Sequence, residues 1–283
     1  MTTNDNQGTN RALWTWVESG LTDGTLWYSP GQEQGFLNFW ADGRPDGSYN
    51  EHYIGPASTD SYNTAAFYWV TNTNNWDVYF NSVKVGTSAD VGAFAGGGEN
   101  GIESLTPNME ADGDTYGWSY ADPSNNWHDV SNDPFYNNSN GILTGYSDGP
   151  TVHAQTAQGC SFPSSATAAP ADVTAGTAAT TAGRLARALG ESQPGAMQYV
   201  KTSRQRAATA TSGESVNSDN SVYVVQMSGK FTVPAARIPK GAKAPTGSRL
   251  TVTINSTSGQ VQDWSISNTD HDLARLGTVS PIQ

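Results

Sequence analysis

The sequence predicts a mostly β protein, with an antiparallel β-sandwich followed by a small α+β domain. Short stretches alternate apolar and polar residues with a period of two, and Gly, Pro, Asn and Asp separate these stretches. The first half of the chain shows no helical periodicity. Many short strands divided by turn-forming residues are typical of a sandwich.

The predicted strands of the first part run in order from the N-terminus to a tight hairpin. In the hairpin, Trp76, Val78 and Phe80 alternate with polar neighbours, the pattern of a strand with one buried face. Asn81 and Ser82 form the expected turn. The predicted strands cover residues 13–20, 24–28, 36–40, 49–54, 65–70, 76–80 and 83–85.

The C-terminal part combines a helix with a hairpin. Leu185 and Leu189 are four residues apart and Gly190 follows, which predicts a short amphipathic helix over residues 180–189. We expect a strand at 223–227 and a hairpin formed by 249–254 and 261–266.

Composition suggests two domains. Residues 158–177 are rich in Ala, Pro, Ser and Thr and are typical of a linker. The predicted division is an acidic, aromatic-rich sandwich over residues 1–157, this linker, and a small basic domain over residues 178–283.

Charge restricts the partners. The formal net charge is −12, and up to Cys160 there are three Lys or Arg against nineteen Asp or Glu. Such an acidic surface repels phosphates, so we expect no nucleic-acid partner. The remainder carries eleven basic and seven acidic residues, and we expect this C-terminal domain to dock on the acidic sandwich.

The composition, with few lysines and much Gly, Asn, Thr, Trp and Tyr, is typical of a secreted protein whose signal peptide has been removed. No apolar run is long enough to span a membrane. His52, His128 and His153 are scattered without metal-ligand spacing, so we expect no metal and no cofactor.

Three stretches resemble, in order, the neprosin type of glutamic peptidase. Residues 17–21 (Val-Glu-Ser-Gly-Leu) are similar to the segment around the first catalytic glutamate of that family. Residues 39–50, with Trp-Ala-Asp-Gly and Gly-Ser-Tyr-Asn, are similar to its central segment. Trp76 followed by Gly-Gly-Glu at 97–99 is similar to its last segment. The resemblance covers about residues 13–105. The same stretch is also similar to secreted actinobacterial proteins that carry a Trp-x-Val-Tyr-x-Asn hairpin.

This resemblance implies a concanavalin-like, jelly-roll type of sandwich. It also implies a secreted acid peptidase in which Glu18 and Glu99 activate water to hydrolyse a peptide bond. Two facing carboxyls cannot both ionise comfortably, so one keeps a proton and the other accepts one from water. The expected substrate-binding residues in the matching stretches are Trp40, Asp42, Tyr49, Trp76 and Tyr79. The C-terminal domain resembles the PepSY or cystatin-like class.

The competing hypothesis is a non-catalytic extracellular binding or structural protein. The sequence departs from the family pattern because Ser48 stands where the family has cysteine and no tryptophan precedes Gly97. In this alternative, exposed Trp and Tyr residues in loops 118–146 contact a glycan or a protein partner. The enzyme hypothesis instead requires Glu18 and Glu99 to face one another across a groove.

Overall fold

A computed structural model describes part of the chain, and its residues cluster into two compact units. The described residues are 2–3, 15–23, 36–57, 63–92, 98–99, 112–115, 119–121, 126–129, 143–148, 151–156, 173–234 and 243–282. The first unit comprises Met1–Gly98, Ser164–Pro234 and Ile238–Gln283. The second unit comprises Glu99–Pro163 and Ala235–Arg237.

The described elements are nearly all strands. In chain order they are β1 (Thr2–Thr3), β2 (Trp16–Asp23), β3 (Phe36–Gly43), β4 (Tyr49–Pro56), β5 (Ala65–Trp69), β6 (Trp76–Phe80), β7 (Val83–Thr87), β8 (Gly98–Glu99), β9 (Asp112–Thr115), β10 (Ser119–Ala121), β11 (Trp127–Asp129), β12 (Leu143–Asp148), β13 (Thr151–Thr156), β14 (Met197–Ser203), β15 (Ser215–Val216), β16 (Ser221–Thr232), β17 (Thr246–Asn255), β18 (Val261–Ser267) and β19 (Ser280–Ile282). The helices are α1 (Ala175–Ala188), α2 (Arg204–Thr211) and a 3₁₀ turn at Leu273–Arg275.

An eight-stranded antiparallel sheet forms the centre of the first unit. Its strand order is β19-β14-β16-β17-β18-β4-β3-β2. Strand β4 pairs with β18, so that His52 lies opposite Asp263 and Glu51 lies opposite Trp264. The sheet therefore contains strands from both ends of the chain.

This shared sheet differs from the predicted division into a sandwich over residues 1–157 and a separate domain over residues 178–283. The physical reason is backbone pairing: the edge of β4 is completed by β18, which lies more than 200 residues later. The two segments form one sheet rather than two docked domains.

Helix α1 covers one face of the large sheet. Thr174 caps its N-terminus, because its hydroxyl oxygen accepts from the Thr177 backbone N–H and the Thr177 hydroxyl oxygen accepts from the Thr174 backbone N–H. This capping box starts the helix at Ala175, five residues before the predicted start and inside the predicted linker. Fully buried Leu185 and Leu189 pack on the sheet.

A four-stranded sheet and α2 lie against the opposite face. The order of this second sheet is β15-β7-β6-β5. Its buried Val78 packs with Val17 and Trp40 of the large sheet. Gly86 permits the close approach, since a Cβ there would stand 2.7 Å from the Trp40 ring.

The second unit contains a three-stranded antiparallel sheet in the order β12-β13-β9 and a separate pair formed by β10 and β11. In the pair, Tyr120 lies opposite His128. The binding hypothesis assigns partner contact to the Trp and Tyr side chains of loops 118–146. These side chains lie mostly outside the described residues.

The predicted mostly β class is confirmed: antiparallel sheets dominate the described chain. The hairpin at Asn81–Ser82 is also confirmed, with φ of 49° and 65° at these residues. Helix α2 was missed, because its Arg, Ala and Thr residues show no apolar stripe. The concanavalin-like subtype stays a prediction.

Candidate functional site

Five ionisable side chains form a continuous chain of contacts between the large sheet and α2. We call Arg44, Glu214, His52, Asp263 and Arg204 the charge chain. The Arg44 guanidinium donates to Glu214 Oε1 at 2.5 Å, and His52 Nε2 lies 2.5 Å from Glu214 Oε2. His52 Nδ1 lies 2.7 Å from Asp263 Oδ1, and Arg204 donates to both oxygens of Asp263. Positive and negative groups alternate along the chain.

The geometry fixes the protonation of His52. Both of its ring nitrogens contact carboxylate oxygens, which only accept hydrogen bonds when ionised. A neutral imidazole has one N–H, so only the doubly protonated ring donates to Glu214 and Asp263 together. The ring also stacks on Trp40, with centroids 4.1 Å apart, an arrangement that favours the cation.

The pKa values follow the same pattern. Burial lowers the pKa of His52, but the charges of Glu214 and Asp263 outweigh it and raise the value to about 9. Burial raises the pKa of Glu214, yet His52 and Arg44 hold it well below its usual range. The pKa of Asp263 is also lowered, because Arg204 and His52 outweigh its burial.

Asp42 adjoins the charge chain and holds its proton more tightly than usual. Its carboxyl accepts from Arg44 and from the Asn50 amide, each at 3.1 Å. Burial and the nearby charge of Glu214 raise the pKa of Asp42 to about 8, despite the opposing effect of Arg44.

A cavity of about 10 Å³ adjoins His52 and Asp263. This volume is about the space that one water needs, so the cavity cannot admit a peptide or a sugar. Its lining is Asn50, His52, Ala208, Thr211, Ser212, Thr251, Thr253, Asp263, Trp264 and Ser265.

A second polar cluster lies on the α1-covered face of the sheet. The Tyr49 hydroxyl is 2.8 Å from Glu51 Oε2 and 3.2 Å from Glu18 Oε1. A phenol has one proton to donate, and the shorter contact assigns it to Glu51. Glu18 is the more distant acceptor of this hydroxyl, which favours the uncharged form at the Glu18 carboxyl rather than at Glu51.

The electrostatics of Glu18 agree with this assignment. Burial, together with the charge of Glu51, raises the pKa of Glu18 to about 7. Glu18 and Glu51 are 8% and 0% exposed, and Trp16, Tyr49 and Trp264 surround them in the core. Both carboxyls contact the same hydroxyl, but they are enclosed.

The four-stranded sheet presents an exposed aromatic surface. We call Tyr68, Asp77, Tyr79, Lys84 and Thr87 the outer face. Tyr68 is 47% exposed, and its ring meets that of Tyr79 edge to face with centroids 5.1 Å apart. Asp77 accepts from Thr87 at 2.8 Å and contacts Lys84 Nζ at 2.7 Å. Polar groups thus border the two rings.

Several expected site residues are inaccessible. Trp40, Asp42 and Tyr49 are at most 1% exposed, so no substrate contacts their side chains in this structure. Trp76 and Tyr79 are half-buried on the four-stranded sheet. These five residues do not line a common groove among the described residues.

Glu99 lies in β8, but its side chain is outside the described part of the structure. The predicted pairing of Glu18 with Glu99 therefore stays a prediction. The described hydrogen-bond partner of Glu18 is Tyr49, which also contacts Glu51. Sequence reasoning did not select Glu51. The alternation of Tyr49, Glu51 and Tyr53 was the available signal, because it places all three on one face of β4.

Sequence reasoning also missed the charge chain. His52 was treated as an isolated histidine, because its partners Glu214 and Asp263 are 162 and 211 residues away. No local motif indicates such contacts.

The comparisons identify no relative: no family model, curated protein or solved structure matches the chain. Among the described residues, no group of three or more His, Cys, Asp or Glu could hold a metal ion. Within the same part of the chain, no helix is both long and apolar enough to span a membrane.

Proposed function

We propose that the protein is a non-catalytic extracellular binding protein whose outer face contacts a neutral glycan. The observation that supports this proposal most directly is the exposure of Tyr68 beside Tyr79 on the four-stranded sheet. Large aromatic rings bury much apolar area when a ligand covers them. Their exposure on a structured strand is therefore a candidate binding surface.

The chemistry of the outer face suits a sugar ring. A pyranose has an apolar C–H face, which can stack on Tyr68, and hydroxyls at its rim. Asp77 offers acceptor oxygens and Lys84 offers donors beside the rings. Their charges compensate one another, and the net charge of −12 repels polyanions. These features favour a neutral glycan over an acidic one.

The test is retention on insoluble neutral polysaccharides, such as chitin, cellulose and xylan, together with binding to an array of neutral oligosaccharides. Tyr68→Ala and Tyr79→Ala should each weaken binding by about tenfold or more, as expected for an aromatic hot spot. Leu21→Ala is the matched control, since Leu21 is 51% exposed on the other sheet. An equal loss of binding in this control would refute the proposal, and so would a failure of the protein to be retained on any of the polysaccharides.

An acid peptidase is the second candidate, and one observation favours it: Glu18 and Glu51 contact the same Tyr49 hydroxyl, and the pKa of Glu18 is raised to about 7. The burial of these carboxyls counts against a peptidase, because hydrolysis needs substrate and water to reach them. Casein digestion from pH 2 to 8 tests this candidate. Acid-dependent cleavage that Glu18→Gln abolishes would favour the peptidase over the binding protein.

A further inference from the structure

The charge chain connects three parts of the first unit. His52 belongs to β4 and Asp263 to β18, so both are fixed in the large sheet. Arg204 is the first residue of α2. Glu214 immediately precedes β15, which pairs with β7 of the four-stranded sheet. His52 contacts one carboxylate through each ring nitrogen, Glu214 through Nε2 and Asp263 through Nδ1.

We infer that the charge chain holds α2 and β15 most tightly to the large sheet while both ring nitrogens of His52 carry protons, and that loss of one proton weakens this attachment. When His52 loses a proton, one of its two short contacts becomes a pair of acceptors that face each other. Two buried carboxylates then share fewer donors, and a buried charge without its partner is costly. Because β15 is an edge strand of the four-stranded sheet, the attachment of that sheet weakens at this point.

Charged or titratable groups face His52 from each described element that packs against it. Strand β3 supplies Asp42, with Arg44 directly after it, as well as the Trp40 ring. The segment before β15 supplies Glu214, and α2 supplies Arg204 through Asp263 of β18. His271 lies close enough to Arg44 for that charge to lower its pKa, in addition to the larger effect of burial.

The sign of the pH effect follows from the geometry. The folded-state pKa of His52 is about 9, whereas the ordinary value is 6.5. This difference corresponds to a proton affinity that is about 300-fold higher. The stability from His52 is fully present below pH 6.5 and is lost as the pH rises through 9. Asp42 titrates in an overlapping range, so the experiment must separate the two.

The direct test is an NMR titration of the ¹⁵N-labelled imidazoles in the full chain from pH 5.5 to 10. Both His52 nitrogens should stay protonated until about pH 9. His271 provides an internal control, because its pKa is lowered and it should titrate below 6.5. A His52 midpoint at or below 6.5 would overturn the inference.

A second test measures denaturant midpoints from pH 6 to 9.5 in an Asp42→Asn background, which removes the titration of Asp42. In this background the midpoint should still fall with rising pH. Adding His52→Gln should lower the midpoint at pH 6 and flatten the fall. Equal slopes in the two proteins would contradict the inference, and if the double variant does not fold, the imidazole titration decides.

An effect of His52 protonation on ligand binding rests on the proposed function, whereas the two preceding measurements do not depend on it. If the outer face binds a glycan, retention should fall with the same midpoint as the His52 titration. Absence of binding at every pH would refute the proposed function alone. Retention that is unchanged above the His52 midpoint would refute the attachment of the four-stranded sheet through the charge chain.

Discussion

Replacing Glu18 by glutamine should stabilise the protein at neutral and alkaline pH. Glutamine has nearly the same shape, and its side-chain oxygen can accept from the Tyr49 hydroxyl as the carboxyl oxygen does. It cannot ionise, so it avoids placing a negative charge in the core beside Glu51. The substitution therefore tests the buried proton without removing the side chain.

The magnitude follows from the pKa. The pKa of Glu18 rises from 4.5 to about 7, and each unit corresponds to about 1.4 kcal/mol, so the ionised group costs about 3 kcal/mol above pH 7. Since the folded pKa lies above the unfolded value, wild-type stability falls as the pH rises from 4.5 to 7. Glu18→Gln should lack this part of the fall.

The assay is urea unfolding of wild type and Glu18→Gln at half-unit steps from pH 4 to 8.5. The two should have similar free energies of unfolding at pH 4 and diverge by about 3 kcal/mol at pH 8. Asp219→Asn is the control, because this carboxylate is exposed and its removal should leave the profile unchanged. Parallel profiles for wild type and Glu18→Gln would refute the buried proton.

Three further predictions concern packing and the charge chain. Gly86→Ala should cost about 1–3 kcal/mol in thermal unfolding, because the new Cβ meets Trp40 and the Ser215 carbonyl oxygen at 2.7 and 2.8 Å; Gly176→Ala on α1, where the new Cβ meets the Thr174 hydroxyl at an ordinary 3.7 Å, should instead be neutral or stabilise by up to about 1 kcal/mol. Leu185→Ala should cost about 2–5 kcal/mol by urea unfolding, since Leu185 is fully buried under α1; a change below 1 kcal/mol would show that α1 does not pack there. Arg204→Met should cost about 3 kcal/mol or more because it leaves Asp263 without its bidentate partner, whereas Arg275→Met, with its side chain 80% exposed, should change the midpoint little.

Local structure was predictable where the information is local. The hairpin from Trp76 to Thr87 needs only alternation and a turn, and Asn81 tolerates the positive φ that the turn requires. The start of α1 was mislocated because Thr174 and Thr177 were assigned by composition to a linker, although their spacing is that of a capping box.

The pairing of β4 with β18 could not be predicted in the same way. Alternation indicates that each strand has a buried face, but it does not specify which of many strands lies beside it. Glu18 shows the consequence for the site. Its position near Gly20 suggested a strand end at a groove, whereas β2 continues to Asp23 and the side chain lies in the core.

The buried ionisable groups on the two faces of the large sheet should together place the maximum free energy of unfolding at about pH 5. Glu18 on one face and His52 on the other both have raised pKa values, so each loses stabilisation as the pH rises. Asp263 has a lowered pKa, so its stabilisation is lost only as the pH falls through its folded-state value. In an Asp42→Asn background, which removes the overlapping titration of Asp42, unfolding free energies from pH 3 to 9.5 should therefore rise, peak near pH 5 and then decline in two steps. Glu18→Gln should remove the first step of the decline and His52→Gln the second. A maximum above pH 7 in the Asp42→Asn background would show that neither buried group holds its proton as the geometry requires.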